Sequence, residues 1–246
     1  MSMLAVLLIA VGVGDVSRRL IRTTWLPPVI GVTVLVGVAL LAGLWHLGDL
    51  ALLAIAAIAS VGWQVTCVRA ELTGKYQAMP LVVFGTAIAV LILLSGWTSA
   101  VDGLVGRWTS WVGLGTSPGR VLMVLGVLLV QLATANQVVR LVLGSVGAVK
   151  PAGEPQASDQ LKGGRLLGPM ERLLIVGLGL AGQLTMASAV VAAKSIIRFP
   201  EISAKRGRDG NPERVGIDDV TEYFLVGSFA SWILAFGSLA LVAAAH

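Results

Sequence analysis

Charge is scarce in this chain. Of its 246 residues, 13% are charged and 56% are hydrophobic. A soluble domain carries roughly 25% charged residues to cover its surface. About half that amount excludes an ordinary soluble fold, so most of the surface must face lipid or buried protein. Mean hydropathy is +0.88. Cysteine is nearly missing as well. Cys67 is the only one, so no intrachain disulfide can form. The histidines are His46 and His246, far apart in sequence, which argues against a zinc or haem site. The opening "MSMLAVLLIAVGVGDVSRR" lacks a basic leader and an A-x-A cleavage site. It reads as a retained hydrophobic segment. There is no G-x-S-x-G, H-E-x-x-H, Walker loop or Ser-x-x-Lys with triad partners. No catalytic residue, metal or cofactor is expected. The net charge of +5 comes without a recognition helix, an RNP-type motif or zinc-finger spacing. It fits membrane topology signals and anionic lipid rather than nucleic acid.

What is present is long apolar runs. A bilayer core about 30 Å thick needs about 20 apolar residues in a helix. Residues 25–45, 49–69, 77–97, 120–147, 170–198 and 221–245 meet this, and residues 2–14 form a shorter seventh. The expected fold is all-α, a polytopic integral membrane protein with six or seven transmembrane helices. "AVDGLVGRWTSWVGLGT", 100–116, carries Asp102, Arg107, Trp108 and Trp111 and reads as an interfacial or re-entrant piece. A linker rich in Pro, Gly and Ser, 148–168, divides N-terminal helices 1–147 from a C-terminal pair, 169–246. No internal repeat is visible, which weakens an inverted-repeat transporter.

Topology is in conflict with this count. Arg18, Arg19 and Arg22 favour the cytoplasm for 15–24, and counting on places 148–168 on the same side. It places 199–219 opposite, although that stretch carries Lys205, Arg206, Arg208 and Arg214.

Residues 170–198 read as one helix. Pro169 suits its first position, Glu171 its first turn, Lys194 and Arg198 its last turns, and Pro200 its end. Arg172 to Lys194 is 22 residues, about 33 Å, so the plain reading puts these charges at opposite interfaces. Arg172, Gln183, Lys194 and Arg198 fall within about 80° on that helix. A sharper reading makes this a polar stripe facing a cavity. Gln131, Thr134 and Gln137 on the preceding helix join Gln183 as a candidate intramembrane polar cluster, either as interhelical hydrogen bonds worth about 1 kcal/mol each or as a ligand path. Gln183 is expected within hydrogen-bonding reach of Gln131, Thr134 or another mid-membrane polar group. Asp219 and Glu222 resemble a capping box, and Tyr223, Gly227, Ser231 and Ala235 form a small-residue stripe. Loop 199–219 is expected to be exposed and irregular. Lys194, Arg198, Glu222 and Tyr223 are then expected at one interface, with Lys194 or Arg198 paired to Glu222. They are the candidate site for an anion or lipid headgroup.

"RDGNPERVGIDD" resembles the aspartate motif of lipid-alcohol phosphotransferases, but one residue separates Arg214 from Gly216 where that motif has about eight. That reading is rejected. "ERLLIVGLGLAGQ", "AAKSIIRFPE" and "EYFLVGSFASWILA" together resemble an uncharacterised family of bacterial multi-pass membrane proteins. The matching positions are Glu171, Arg172, Lys194, Ser195, Arg198, Phe199, Glu222, Tyr223 and Gly227, within 170–245. The resemblance implies architecture and a bacterial inner membrane, not a reaction. Expected partners are membrane lipids, anionic ones included, and a membrane protein or a second copy. Two functions stand: a non-enzymatic transport or channel component or scaffold, and an enzyme acting on an anionic lipid or polyprenyl phosphate. An enzyme needs a nucleophile or carboxylate set on rigid helices, and the sequence offers cations and capping acids instead.

Overall fold

The computed structural model describes the backbone of residues 1–21, 23, 25–113, 115–148, 164–206 and 217–245, with side chains except at 164–166, 195, 197–206 and 217–220. The described residues form helices and no strands: α1 (Ser2–Leu20), α2 (Leu26–Ala42), α3 (Leu47–Thr73), α4 (Ala78–Leu93), α5 (Leu104–Val112), α6 (Pro118–Leu129), α7 (Ala135–Ser145), α8 (Gly164–Leu180), α9 (Leu184–Arg206) and α10 (Ile217–Ala244). A π-helical turn, Val130–Thr134, joins α6 to α7 without a break. Among the described residues, three helices are long and apolar enough to cross a membrane: Leu47–Thr73, Pro118–Ser145 and Thr221–Ala244. Leu26–Ala42 and Ala78–Leu93 are apolar but shorter. The all-helical class expected is thus present, with three candidate spans and shorter apolar helices among the described residues where six or seven spans were expected.

Two compact units are present, residues 1–134 with 240–246, and residues 135–239. In the first, the N-terminal segment is the centre. Met3 to Val11 of α1 are all at most 3% exposed. A helix apolar all round is one that neighbours cover all round, and α2, α3, α4 and α6 supply the cover. Helices α1 and α6 run parallel and very close. A Cβ on Gly12 would lie 2.7 Å from Leu129 Cβ, and one on Gly126 would lie 3.0 Å from the Ala5 carbonyl. Apolar side chains gain little from leaving lipid, so this contact rests on van der Waals packing that only small residues allow.

Local chemistry fixes the helix ends. Pro27 and Pro28 occupy the first turn of α2, where a missing N–H costs nothing, and Gly43 ends it at φ 79°. His46 and Asp49 cap α3 reciprocally, and Ser99 N–H donates to Asp49 Oδ1 at 3.0 Å. Ser117 accepts from Arg120 N–H, with Pro118 next, at the start of α6. Helix α5 has nine residues, too few to span, with Trp108 and Trp111 exposed.

The second unit departs most from the sequence reading. Residues 170–198 are not one helix. The chain reverses at Ala181–Gln183, and α9 packs back along α8. Gly182 has φ 77°. Gln183 N–H donates to the Leu178 carbonyl at 2.8 Å and Gly182 N–H to the Gly179 carbonyl at 3.0 Å. This is the paired bonding of a left-handed glycine stop, and glycine adopts that conformation without a Cβ clash. Helix α8 begins at Gly164, so Pro169 lies inside it and not at its first position. Helix α9 continues through Pro200 to Arg206, and α10 starts at Ile217. The irregular loop expected over 199–219 is thus helical at 199–206 and 217–219, and 207–216 lies outside the described residues. Linker residues 149–163, Arg22 and His246 also lie outside them.

Candidate functional site

The hairpin brings distant charges together. Lys194 Nζ on α9 lies 2.5 Å from Glu171 Oε2 on α8. Their side chains are 16% and 7% exposed. The other carboxylate oxygen accepts from Trp232 Nε1–H on α10 at 2.9 Å. The ammonium also lies 5.8 Å from the Trp232 ring centroid and 5.9 Å from that of Phe224, within cation–π range. One acid, one base and two rings therefore tie three helices at a single point. Beside it, Arg172 is 2% exposed. It donates to Ser231 Oγ on α10 at 3.0 Å and to Asn136 Oδ1 on α7.

Depth follows from α10. Trp232 stands eleven residues after Thr221 and twelve before Ala244, the limits of the candidate span. The charged network is thus level with the middle of that span. Helix α8 runs parallel to α10, since Arg172 meets Ser231 and a Cβ on Gly179 would meet Leu239. The hairpin turn then points to the C-terminal end of α10. An apolar groove of about 460 Å³ lies between α7 and α10, lined by Val138, Val142, Leu225, Phe229 and Ile233 among others.

Of the four headgroup candidates, Lys194 is in this network, but its acid is Glu171 rather than Glu222. Glu222 is exposed near the start of α10, and Tyr223 is half-buried beside it. The Arg198 side chain lies outside the described residues. The expected polar cluster divides. Gln131 and Thr134 lie fully buried in the π-turn, and Gln137 is buried on α7. Gln183 is exposed in the hairpin turn, because the chain reverses there instead of crossing.

A second polar centre, in the first unit, went unread in the sequence. Asp15 on α1 is 2% exposed. Trp63 Nε1–H donates to its two oxygens at 3.1 and 3.2 Å, and Gln64 Nε2–H at 2.9 Å. Arg18 bridges Asp15 at 3.6 Å and Glu71 at 4.0 Å. The Thr134 hydroxyl faces Asp15 outside strict hydrogen-bond geometry. Arg19 donates to the carbonyls of Leu132 and Ala133, at 3.4 and 2.9 Å. A π-turn shifts carbonyls out of their usual i→i−4 pairing, and this guanidinium occupies two of them. Arg18 and Arg19 are thus structural ligands rather than free loop charges.

Among the described residues, no group of three or more His, Cys, Asp or Glu could hold a metal ion. Compared with known proteins, the chain matches no family model, no curated protein and no solved structure.

Proposed function

We propose that this chain is a multi-pass protein of the bacterial inner membrane that acts without covalent chemistry, as a transport or channel component. The observation that carries the reading is the Glu171–Lys194–Trp232 network at the midpoint of the α10 candidate span. A charged side chain at that depth costs about 2.5–3.5 kcal/mol on insertion scales. Such groups persist where they line a path or hold together parts that move. The pair here clasps the two arms of a helical hairpin against a third helix. Breaking it frees one arm, which is the kind of discrete rearrangement a gate needs. The resemblance of the 170–245 signature to bacterial multi-pass proteins supports the location. Anionic membrane lipids and a membrane partner or second copy are its natural company.

The test is flux in proteoliposomes containing the full chain, with entrapped pH- and cation-sensitive dyes and an imposed gradient. Wild-type protein should dissipate the gradient faster than empty liposomes. The double variant Glu171→Gln/Lys194→Met should change that rate by about fivefold or more while remaining folded. Wild-type flux equal to that of empty liposomes overturns transport. Capture of one membrane protein would then point to a scaffold, and turnover of an added polyprenyl phosphate to an enzyme.

A further inference from the structure

We propose that the Asp15 centre is an internal water-filled site that takes up and releases a proton. Its carboxylate is well supplied with donors, but the groups that supply them have polar atoms left over. Gln64 Oε1, Arg18 Nη1 and Ser60 Oγ are buried without a protein partner. Gln64 and Ser60 are 1% exposed. The Gln64 orientation is fixed, since an ionised carboxylate only accepts: Nε2 must face Asp15 and Oε1 must turn away. Ser60 lies one turn before Gln64 on the same face of α3. Each buried polar atom left unmatched costs about 1–3 kcal/mol. Gln64 and Arg18 both reach the Asp15 carboxylate, so their left-over Oε1 and Nη1 atoms call for a partner beside it.

The chemistry of the set identifies it. Arg18 Nη1 can only donate, Gln64 Oε1 can only accept, and the Ser60 and Thr134 hydroxyls can do both. A cation is opposed by Arg18 and an anion by Asp15. Water suits each of these groups, and a buried water takes 2–4 such bonds.

An independent feature points to the same place. The helix running past Asp15 breaks its α pattern at Val130–Thr134, and π-turns of this kind are frequent at functional sites. The turn lies at the middle of the Pro118–Ser145 candidate span, and Gln64 lies within about 6 Å along the helix axis of the middle of Leu47–Thr73. An acid at this depth with water beside it is a proton-carrying group. The step is an exchange: hydronium gives its proton to the Asp15 carboxylate and leaves as water, and the reverse restores both. The charged and titratable groups around Asp15 are Arg18 on its own helix and Glu71 and Cys67 on α3. Helices α2 and α4 contain no titratable residue, and α6 has only Arg120 at its start.

Infrared difference spectra of the full chain in nanodiscs, titrated over about pH 4 to 9, test this. A carboxylic C=O band should grow on acidification. It should move on carboxyl-13C labelling of aspartate and shift in D2O. Asp15→Asn should remove it and Glu71→Gln should keep it. Should Asp15→Asn not fold, Thr134→Val serves instead, because loss of the hydroxyl facing Asp15 should change the band's frequency. An aspartate band that ignores D2O, or one that ignores Thr134→Val, overturns the proposal. So does the absence of any aspartate band across the titration, which would make Asp15 a dry, permanently ionised strut.

Discussion

Lys194 and Glu171 are 23 residues apart in sequence, about 34 Å along a straight helix, yet their charged atoms lie 2.5 Å apart. Removing one partner strands the other in a site closed by Trp232 and Phe224. Lys194→Met should lower stability by about 3–5 kcal/mol, read as a fall in Tm in detergent. Glu222→Gln, on an exposed side chain, should leave Tm unchanged. The exchange Glu171→Lys/Lys194→Glu should recover part of the loss and not all, because the Trp232 N–H would then face an ammonium. A Lys194→Met protein as stable as wild type would show that the pair contributes nothing.

The hairpin also decides sidedness. On a Cys67→Ser background, Val146→Cys and Glu222→Cys should react with an impermeant thiol reagent from the same side. Gln183→Cys should react only from the other. All three positions are exposed. With α9 packed back along α8, the backbone of Lys205 and Arg206 lies at the same end of the hairpin as Gly164, where a single crossing would have put them at opposite ends. Labelling of Gln183→Cys and Glu222→Cys from one side would restore a single crossing.

Two glycines should respond oppositely to a methyl group. Gly182→Ala forces a left-handed conformation on a residue with a Cβ, costing about 1–2 kcal/mol. A Cβ at Gly177, on α8, would meet nothing within 4 Å. Gly177→Ala should be neutral or stabilising by up to about 1 kcal/mol. Equal Tm changes in the two variants would count against the turn.

Arg19→Met should loosen the π-turn. It removes the donor to the Leu132 and Ala133 carbonyls, with an expected cost of about 1–3 kcal/mol. Amide hydrogen exchange over 130–137 should quicken while exchange in α10 stays as it was. Uniform quickening across the chain would make Arg19 a global support instead.

The sequence made the helical class and most helix positions legible, since apolar runs at 25–45, 49–69, 120–147 and 221–245 are visible without partners. It misled where a break was short. Gly182 was readable as a helix stop, because a glycine near a helix end is a possible cap. The unbroken hydropathy around it favoured a single crossing, and the eleven-residue spacing of Arg172, Gln183 and Lys194 reinforced that. Lys194 stood out in the sequence as a charge among apolar residues, but its acid could not be read there, because Glu171 becomes a neighbour only after the chain reverses. Asp15 was missed for a different reason. It stands beside Arg18 and Arg19 and looks like the edge of a polar loop. Its burial depends on Trp63, Gln64 and Thr134, which come about 50 and 120 residues later. No local pattern reports contacts of that range.

The central place of α1 has a consequence for how the protein is made. Within this chain α1 is made before each of the neighbours that enclose it. Its closest companion, α6, begins 116 residues after α1 does. At roughly 5–20 residues per second, that is on the order of 10 s of synthesis. Throughout this interval Asp15, Arg18 and Arg19 have none of the π-turn contacts that later hold them. The nascent first helix therefore needs a temporary companion, from the insertion machinery or the headgroup layer, and the first unit can lock only when the Pro118–Ser145 segment arrives.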